Sequence, residues 1–196
     1  MVSRLGRSRT ILIAGLLLLF PFALEYLLRS RNRGFKLYRK DAPLLLASSG
    51  AWLLFLVTVA AYLVRPATMP GANVPVPGKL RALGVVAGGI GCLLLIWALR
   101  TISASRRDAA RRKRTETLVV HGPYLWMRHP CFVGLLMLAL ALPLITANWL
   151  FVPVGIVLLG TAGARLPREE ELMRERFGEP YAAYERRTGR FFPGAS

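Results

Sequence analysis

Apolar runs of bilayer length, separated by short basic loops, leave this chain few folds to choose from. A hydrocarbon layer about 30 Å thick takes about 20 helical residues to cross, and inside it every backbone N–H and C=O needs an internal partner. Residues 11–28, 43–64 and 80–103 are apolar runs of that order. Residues 131–148 and 149–165 are two shorter apolar segments divided by Thr146-Ala147-Asn148. Together they are too long for one span and suit a tight helical hairpin. The expected fold class is all-α: an integral membrane helical bundle of about five transmembrane helices. One domain covers residues 1–196, with three N-terminal spans in 1–103 and a polar loop, the hairpin and a charged C-terminal segment in 104–196. A hydrophobic content of 54% and a mean hydropathy of +0.43 agree with a membrane domain and exclude an ordinary soluble globule.

The formal net charge of +17 would suit nucleic acid, but the basic residues lie between apolar runs and lack interleaved aromatics. Anionic lipid headgroups are the expected counter-charge, above all for Arg106 to Arg114, RRDAARRKR, and no nucleic acid partner is implied. With five spans, the loop 29–42 carries six Lys/Arg, the loop 104–130 seven and the tail from Arg165 seven, all on one face. The other face holds three in the N-terminus and two in the 65–79 connector. Twenty against five makes the first face cytoplasmic, on a bacterial inner membrane or the endoplasmic reticulum.

Local features fit that frame. MVSRLGRSRT before the first apolar run has the polarity of a signal peptide without a small-x-small cleavage site, and reads as an uncleaved span with a cleaved signal as the alternative. Pro21 should kink that span, and Glu25 inside it has Arg29 four residues on as a partner. Gly84 and Gly88 form a GxxxG that lets helices approach closely. Cys92 and Cys131 lack metal-ligand spacing, so neither a disulfide framework nor a metal site is expected.

The polar chemistry gathers in residues 115–134, TETLVVHGPYLWMRHPCFVG, which hold His121, His129 and a buried-looking Arg128. Gly122-Pro123 and His129-Pro130 punctuate the loop, because Pro fixes φ and restricts the residue before it. Pro130 suits the first turn of a helix. A loop so pinned, ending on a helix N-terminus beside imidazole and guanidinium, can hold a polar ligand at a membrane surface; an ordinary charged loop is the alternative. From Arg165 the chain turns charged, RLPREEELMRERFGEPYAAYERR, as a solvated helix would, with Glu170–Arg174 as an i,i+4 pair, Glu171 and Glu175 repelling, and Gly178 ending the helix. Arg165 and Glu169 stand four apart at the membrane boundary, and Pro167 between them should kink the helix.

Two motifs also carry a family resemblance. TxTLV with Gly122, Tyr124, Trp126 and RHPxxVG, followed by the tail REEELMRERFGEPYAAYERRTGRFFP, resembles the isoprenylcysteine carboxyl methyltransferase family, a branch of the membrane methyltransferases that includes phospholipid methyltransferases. The likeness covers roughly residues 115–193. It implies S-adenosyl-L-methionine as cofactor, in a cytosolic pocket made by the loop before the fourth span and the C-terminal segment. By matched position Thr117, Leu118, Val119, Tyr124, His129, Pro130, Cys131, Phe132 and Glu169 would bind the cofactor, and Arg165 the substrate, with Arg165 and Glu169 as the catalytic pair. Phe132 stands where the family usually has Tyr, and His121 where Ser or Thr is common.

The chemistry agrees with those residue types. Methyl transfer from a sulfonium to a carboxylate is an in-line displacement that needs positioning and exclusion of water more than acid–base groups. A guanidinium fork suits a carboxylate. The expected function is a membrane methyltransferase acting on a carboxylate of a lipidic or lipid-linked substrate. Phosphatidylethanolamine N-methylation or another small hydrophobic acceptor is the alternative within the class, and a non-catalytic anionic-lipid-binding scaffold the alternative outside it.

Overall fold

A computed structural model describes residues 42–64, 74–111 and 117–194. The expected first span with Pro21 and Glu25, the basic loop after it and most of the 65–79 connector lie outside the described residues. Among the described residues there are five α-helices: α1 (Ala42–Val64), α2 (Gly78–Arg111), α3 (Pro130–Thr146), α4 (Phe151–Phe177) and the short α5 (Glu179–Glu185). A single 3-10 turn, Gly122–Leu125, stands between α2 and α3. The all-helical class holds. Two of the five expected spans have bilayer length and apolar content, Leu46–Val64 in α1 and Gly78–Arg111.

α2 departs from the expected boundary at Ser103. It runs for 34 residues, about 51 Å at 1.5 Å per residue, straight through the first part of the basic run. Loss of hydrophobicity does not end a helix when the next residues, here Arg, Ala and Asp without Pro or Gly, keep helical propensity or lose little of it. The helix is thus longer than its apolar part.

The hairpin is as the apolar pattern indicates. α3 ends at Thr146, Ala147 takes a left-handed φ of 52°, and α4 begins at Phe151. Asn148 is buried and its Oδ1 accepts the Leu150 amide at 2.9 Å, which supplies the turn with a local partner. The turn is also tied from outside: Tyr62 of α1 donates to the Thr146 carbonyl at 3.4 Å, and the Val74 amide donates to the Ala147 carbonyl at 3.2 Å. Tyr62 packs edge-on to Phe151, with Val59 and Leu142 completing the apolar cluster between α1, α3 and α4.

Glycines let α2 and α3 approach backbone to backbone. A Cβ on Gly84 would come 2.8 Å from Leu144 Cβ, and one on Gly91 would come 2.9 Å from the carbonyl oxygen of Gly134. Gly88 meets Ala141, so the GxxxG acts as a packing face. Gly89 points into open space. Gly91→Ala should therefore cost about 1–3 kcal/mol, the usual range for overpacking, because a backbone carbonyl cannot swing aside. Gly89→Ala should be near neutral. Thermal unfolding in detergent micelles, followed by helical circular dichroism, checks both; equal melting temperatures for the two variants would contradict the packing assigned to Gly91.

Candidate functional site

The site begins where α3 does. Pro130 is buried at the first helical position with His129 before it, and the amides of Phe132 and Val133 bond back to the His129 carbonyl at 3.1 and 3.2 Å. That geometry fixes the His129 backbone, and a second chain segment then pairs with it. Arg128 N–H donates to the Gly189 carbonyl at 3.0 Å and His129 N–H to the Arg190 carbonyl at 3.2 Å, with a parallel bridge between Met127 and Gly189. A Cβ on Gly189 would collide with the Phe192 carbonyl, so this strap, residues 189–191, can bend there only as glycine. The two sequence motifs are thus stitched together by main-chain hydrogen bonds.

Glu170 sits at the centre, on α4, with its side chain 1% exposed. Its Oε1 lies 3.1 Å from His129 Nε2 and accepts from Arg190 Nε at 3.1 Å, while Arg190 also donates to Oε2. Arg128 Nε stands 3.3 Å from Oε1, out of line for a hydrogen bond, and its Nη1 reaches Glu185 Oε1 at 3.1 Å. Burial pushes the Glu170 carboxyl up, but the hydrogen bonds from Arg190 and His129 and the charges of Arg128 and Arg190 outweigh it and hold the group below its usual range. Glu185 is also held low, chiefly by Arg174, which donates to it through Nε at 2.9 Å and Nη2 at 2.6 Å.

This overturns the expected Glu170–Arg174 surface pair. Residues four apart on a helix can meet, but Glu170 faces inward and Arg174 turns to α5. Glu171 pairs with Arg168, and Gly178 ends α4 at φ 57°, donating to the Arg174 carbonyl as a C-cap. Tyr184 on α5 donates to the Tyr124 carbonyl at 2.7 Å, clamping α5 to the loop. Burial raises its pKa, and that of Tyr181 is pushed up to about 12 by burial and by the Glu170 charge.

The expected site residues fall into three groups. Around the α3 N-terminus, Tyr124 Oη lies 3.7 Å from Cys131 Sγ, and Phe132 stacks obliquely on Phe191 with centroids 5.2 Å apart. His129 lies 6.4 Å from the same Phe191 ring. Gly163 of α4 backs the Phe132 ring, with a Cβ there falling 3.6 Å from it. Two residues on, Arg165 Nη2 stands 3.7 Å from Glu169 Oε1 with the side chains 30% and 41% exposed. α4 continues as a helix through Pro167, so the i,i+4 relation survives the proline. Thr117 is exposed and Leu118 and Val119 are half-buried; the Glu170 network does not include them. Sequence reading missed Glu170, Arg190, Glu185 and Phe191. The one usable signal was that three consecutive acids on a helix cannot all face water on the same side.

Among the described residues, two helices long and apolar enough to cross a bilayer stand beside a short apolar hairpin, one end of which carries a charge-braced polar cluster. Residues 80–180 match the family model of the phospholipid methyltransferases, more than half of the 196-residue chain, and the protein belongs to that family. The match begins with α2, well before residue 115, where the motif resemblance started. Comparison with curated protein sequences yields no match. Membership supports a methyltransferase of a membrane family.

Proposed function

We propose that the protein is an integral membrane S-adenosylmethionine-dependent methyltransferase of the isoprenylcysteine carboxyl methyltransferase type, acting on a carboxylate of a lipidic or lipid-linked acceptor. The observation that carries this reading is the state of Arg165 and Glu169. They are partly exposed and joined by a loose 3.7 Å pair that starts two residues beyond the one that backs Phe132. Arg128 is buried, by contrast, and engaged with both Glu170 and Glu185. A loose pair is ready to exchange partners; a buried, cross-braced one is structural.

The residues fit the cofactor in kind. A nucleoside bearing a sulfonium needs an acid, flat apolar surface and polar groups at an edge, and Glu169, the Phe132–Phe191 stack and Tyr124 with His129 are those types. When bound, S-adenosylmethionine supplies an activated methyl group on a positively charged sulfur. Arg165 then holds the acceptor carboxylate by its fork, Glu169 offers negative charge to the donor side, and the aromatic stack excludes water. The cytoplasmic placement of the site and the seating of the basic loops on anionic headgroups belong to the same proposal and rest on the charge asymmetry.

A phospholipid acceptor, with phosphatidylethanolamine as the amine-bearing case, fits the description of the matched family equally well. A fixed guanidinium should repel an ammonium, whereas Glu169 would attract one. Titration of the purified protein with S-adenosylmethionine tests the common core of both readings. Saturable binding is expected, with Glu169→Ala and His129→Ala each weakening it by roughly tenfold, the worth of one charge-assisted hydrogen bond. Unchanged affinity in both folded variants would remove the assigned site.

A further inference from the structure

The exposed apolar residues of α2 are not scattered. Leu83, Val86, Ile90, Leu93 and Trp97 succeed one another at spacings of three and four, which places them on one stripe of the helix. From Leu83 to Trp97 the stripe rises about 21 Å at 1.5 Å per residue. There it passes from the helix to the loop. Trp97 stands edge-on to Trp126 with centroids 5.5 Å apart, Trp126 is 52% exposed and its neighbour Leu125 60%. The loop is seated firmly: Gly122 takes a φ of +64°, a Cβ on it would come 2.8 Å from Thr101 Oγ1, and His121 Nε2 lies 3.3 Å from Ser105 Oγ. Beyond the indoles α2 continues with Arg100, Arg107 and Arg111, all exposed.

We infer that the Leu125–Trp126 end of the 120–126 loop is membrane-immersed, with Trp97 and Trp126 in the interfacial zone of an anionic lipid leaflet, Leu125 at the acyl boundary and His121, seated beside Ser105, at headgroup level. The order along α2 is aliphatic stripe, indole pair, arginines. It repeats the order of a leaflet from inside to outside: hydrocarbon, interface, headgroup phosphate. A stripe of about 21 Å also matches most of a hydrocarbon core of about 30 Å. A soluble protein partner would have no reason to complement that gradation, and the arginines complement anionic headgroups. The loop is therefore not an aqueous connector. It sets the depth at which the chain reaches His129 and the start of α3, and it does so whether or not the methyl-transfer reading is right.

The test is depth-dependent quenching in vesicles of phosphatidylcholine and phosphatidylglycerol. Trp52, Trp97 and Trp149 are changed to Phe so that Trp126 alone emits. Its emission should be blue-shifted, should lose more intensity to bromines near the ester end of the acyl chains than to bromines at mid-chain, and should resist aqueous acrylamide. A companion protein keeping only Trp97 should report nearly the same depth, since the two rings touch. If the triple variant fails to fold, the difference between wild type and Trp126→Phe gives the same reading. Strong acrylamide quenching with no effect of bromolipid would put the loop in water and end the proposal. Protection from both quenchers would mean that protein covers the indoles, and would end it as well.

Discussion

Glu170→Ala should destabilise the protein by about 3–5 kcal/mol, the range for removing one partner of a buried ion pair. The loss falls mainly on Arg128, which is buried and would be left facing His129 and Arg190 with only Glu185 for company. Arg190 is partly in water, so its share is smaller. Glu170→Gln should recover little, because a neutral amide removes the charge that Arg128 and Arg190 face and its single oxygen cannot serve both His129 and Arg190. Because the Glu170 pKa is lower folded than unfolded, its contribution is complete above the unfolded value, about 4.3, and is lost as pH falls through the folded value. The gap between wild type and Glu170→Gln should thus close under acid. Denaturant unfolding in micelles at neutral and acid pH measures the gap, and hydrogen exchange at the Arg128 and His129 amides reports release of the strap. A Glu170→Ala protein within 1 kcal/mol of wild type, by the scale of ordinary surface substitutions, would show the network to be dispensable.

Arg165→Ala should reduce kcat/KM on a carboxylate acceptor by on the order of 10², the worth of the two charge-assisted hydrogen bonds of a guanidinium fork, while S-adenosylmethionine affinity stays near normal. Arg165→Lys should restore part of the rate, since the charge returns without the planar fork. An amine acceptor behaves differently: removal of the guanidinium should leave its rate unchanged or raise it. The same pair of variants, assayed on a prenylated carboxylate and on phosphatidylethanolamine, therefore separates the two acceptor classes. Full carboxylate activity in Arg165→Ala would end both the assigned role and the carboxylate reading. Loss of cofactor binding in that variant would instead move Arg165 to the donor side, next to Glu169.

The helical class, the hairpin and its turn at Thr146-Ala147-Asn148, the packing glycines and the Gly178 cap were all legible in the chain, because each depends on residues within a few positions of one another. Hydropathy sums over a window, φ preferences belong to single residues, and the GxxxG spacing is one helical turn. The two motifs and the family they point to were legible too, since motif order is a property of sequence.

Tertiary structure decided which acid is buried. Glu169, Glu170 and Glu171 differ little as letters, yet one pairs loosely with Arg165, one is enclosed, and one binds Arg168 at the surface. Helical geometry separates neighbours by about 100° around the axis, so only one of the three can face α3, and which one depends on how α4 is rotated against it. The partners of Glu170 lie 41 residues before it and 20 after it. They come together because the hairpin folds α4 back along α3 and the strap closes across both. No local pattern carries that arrangement.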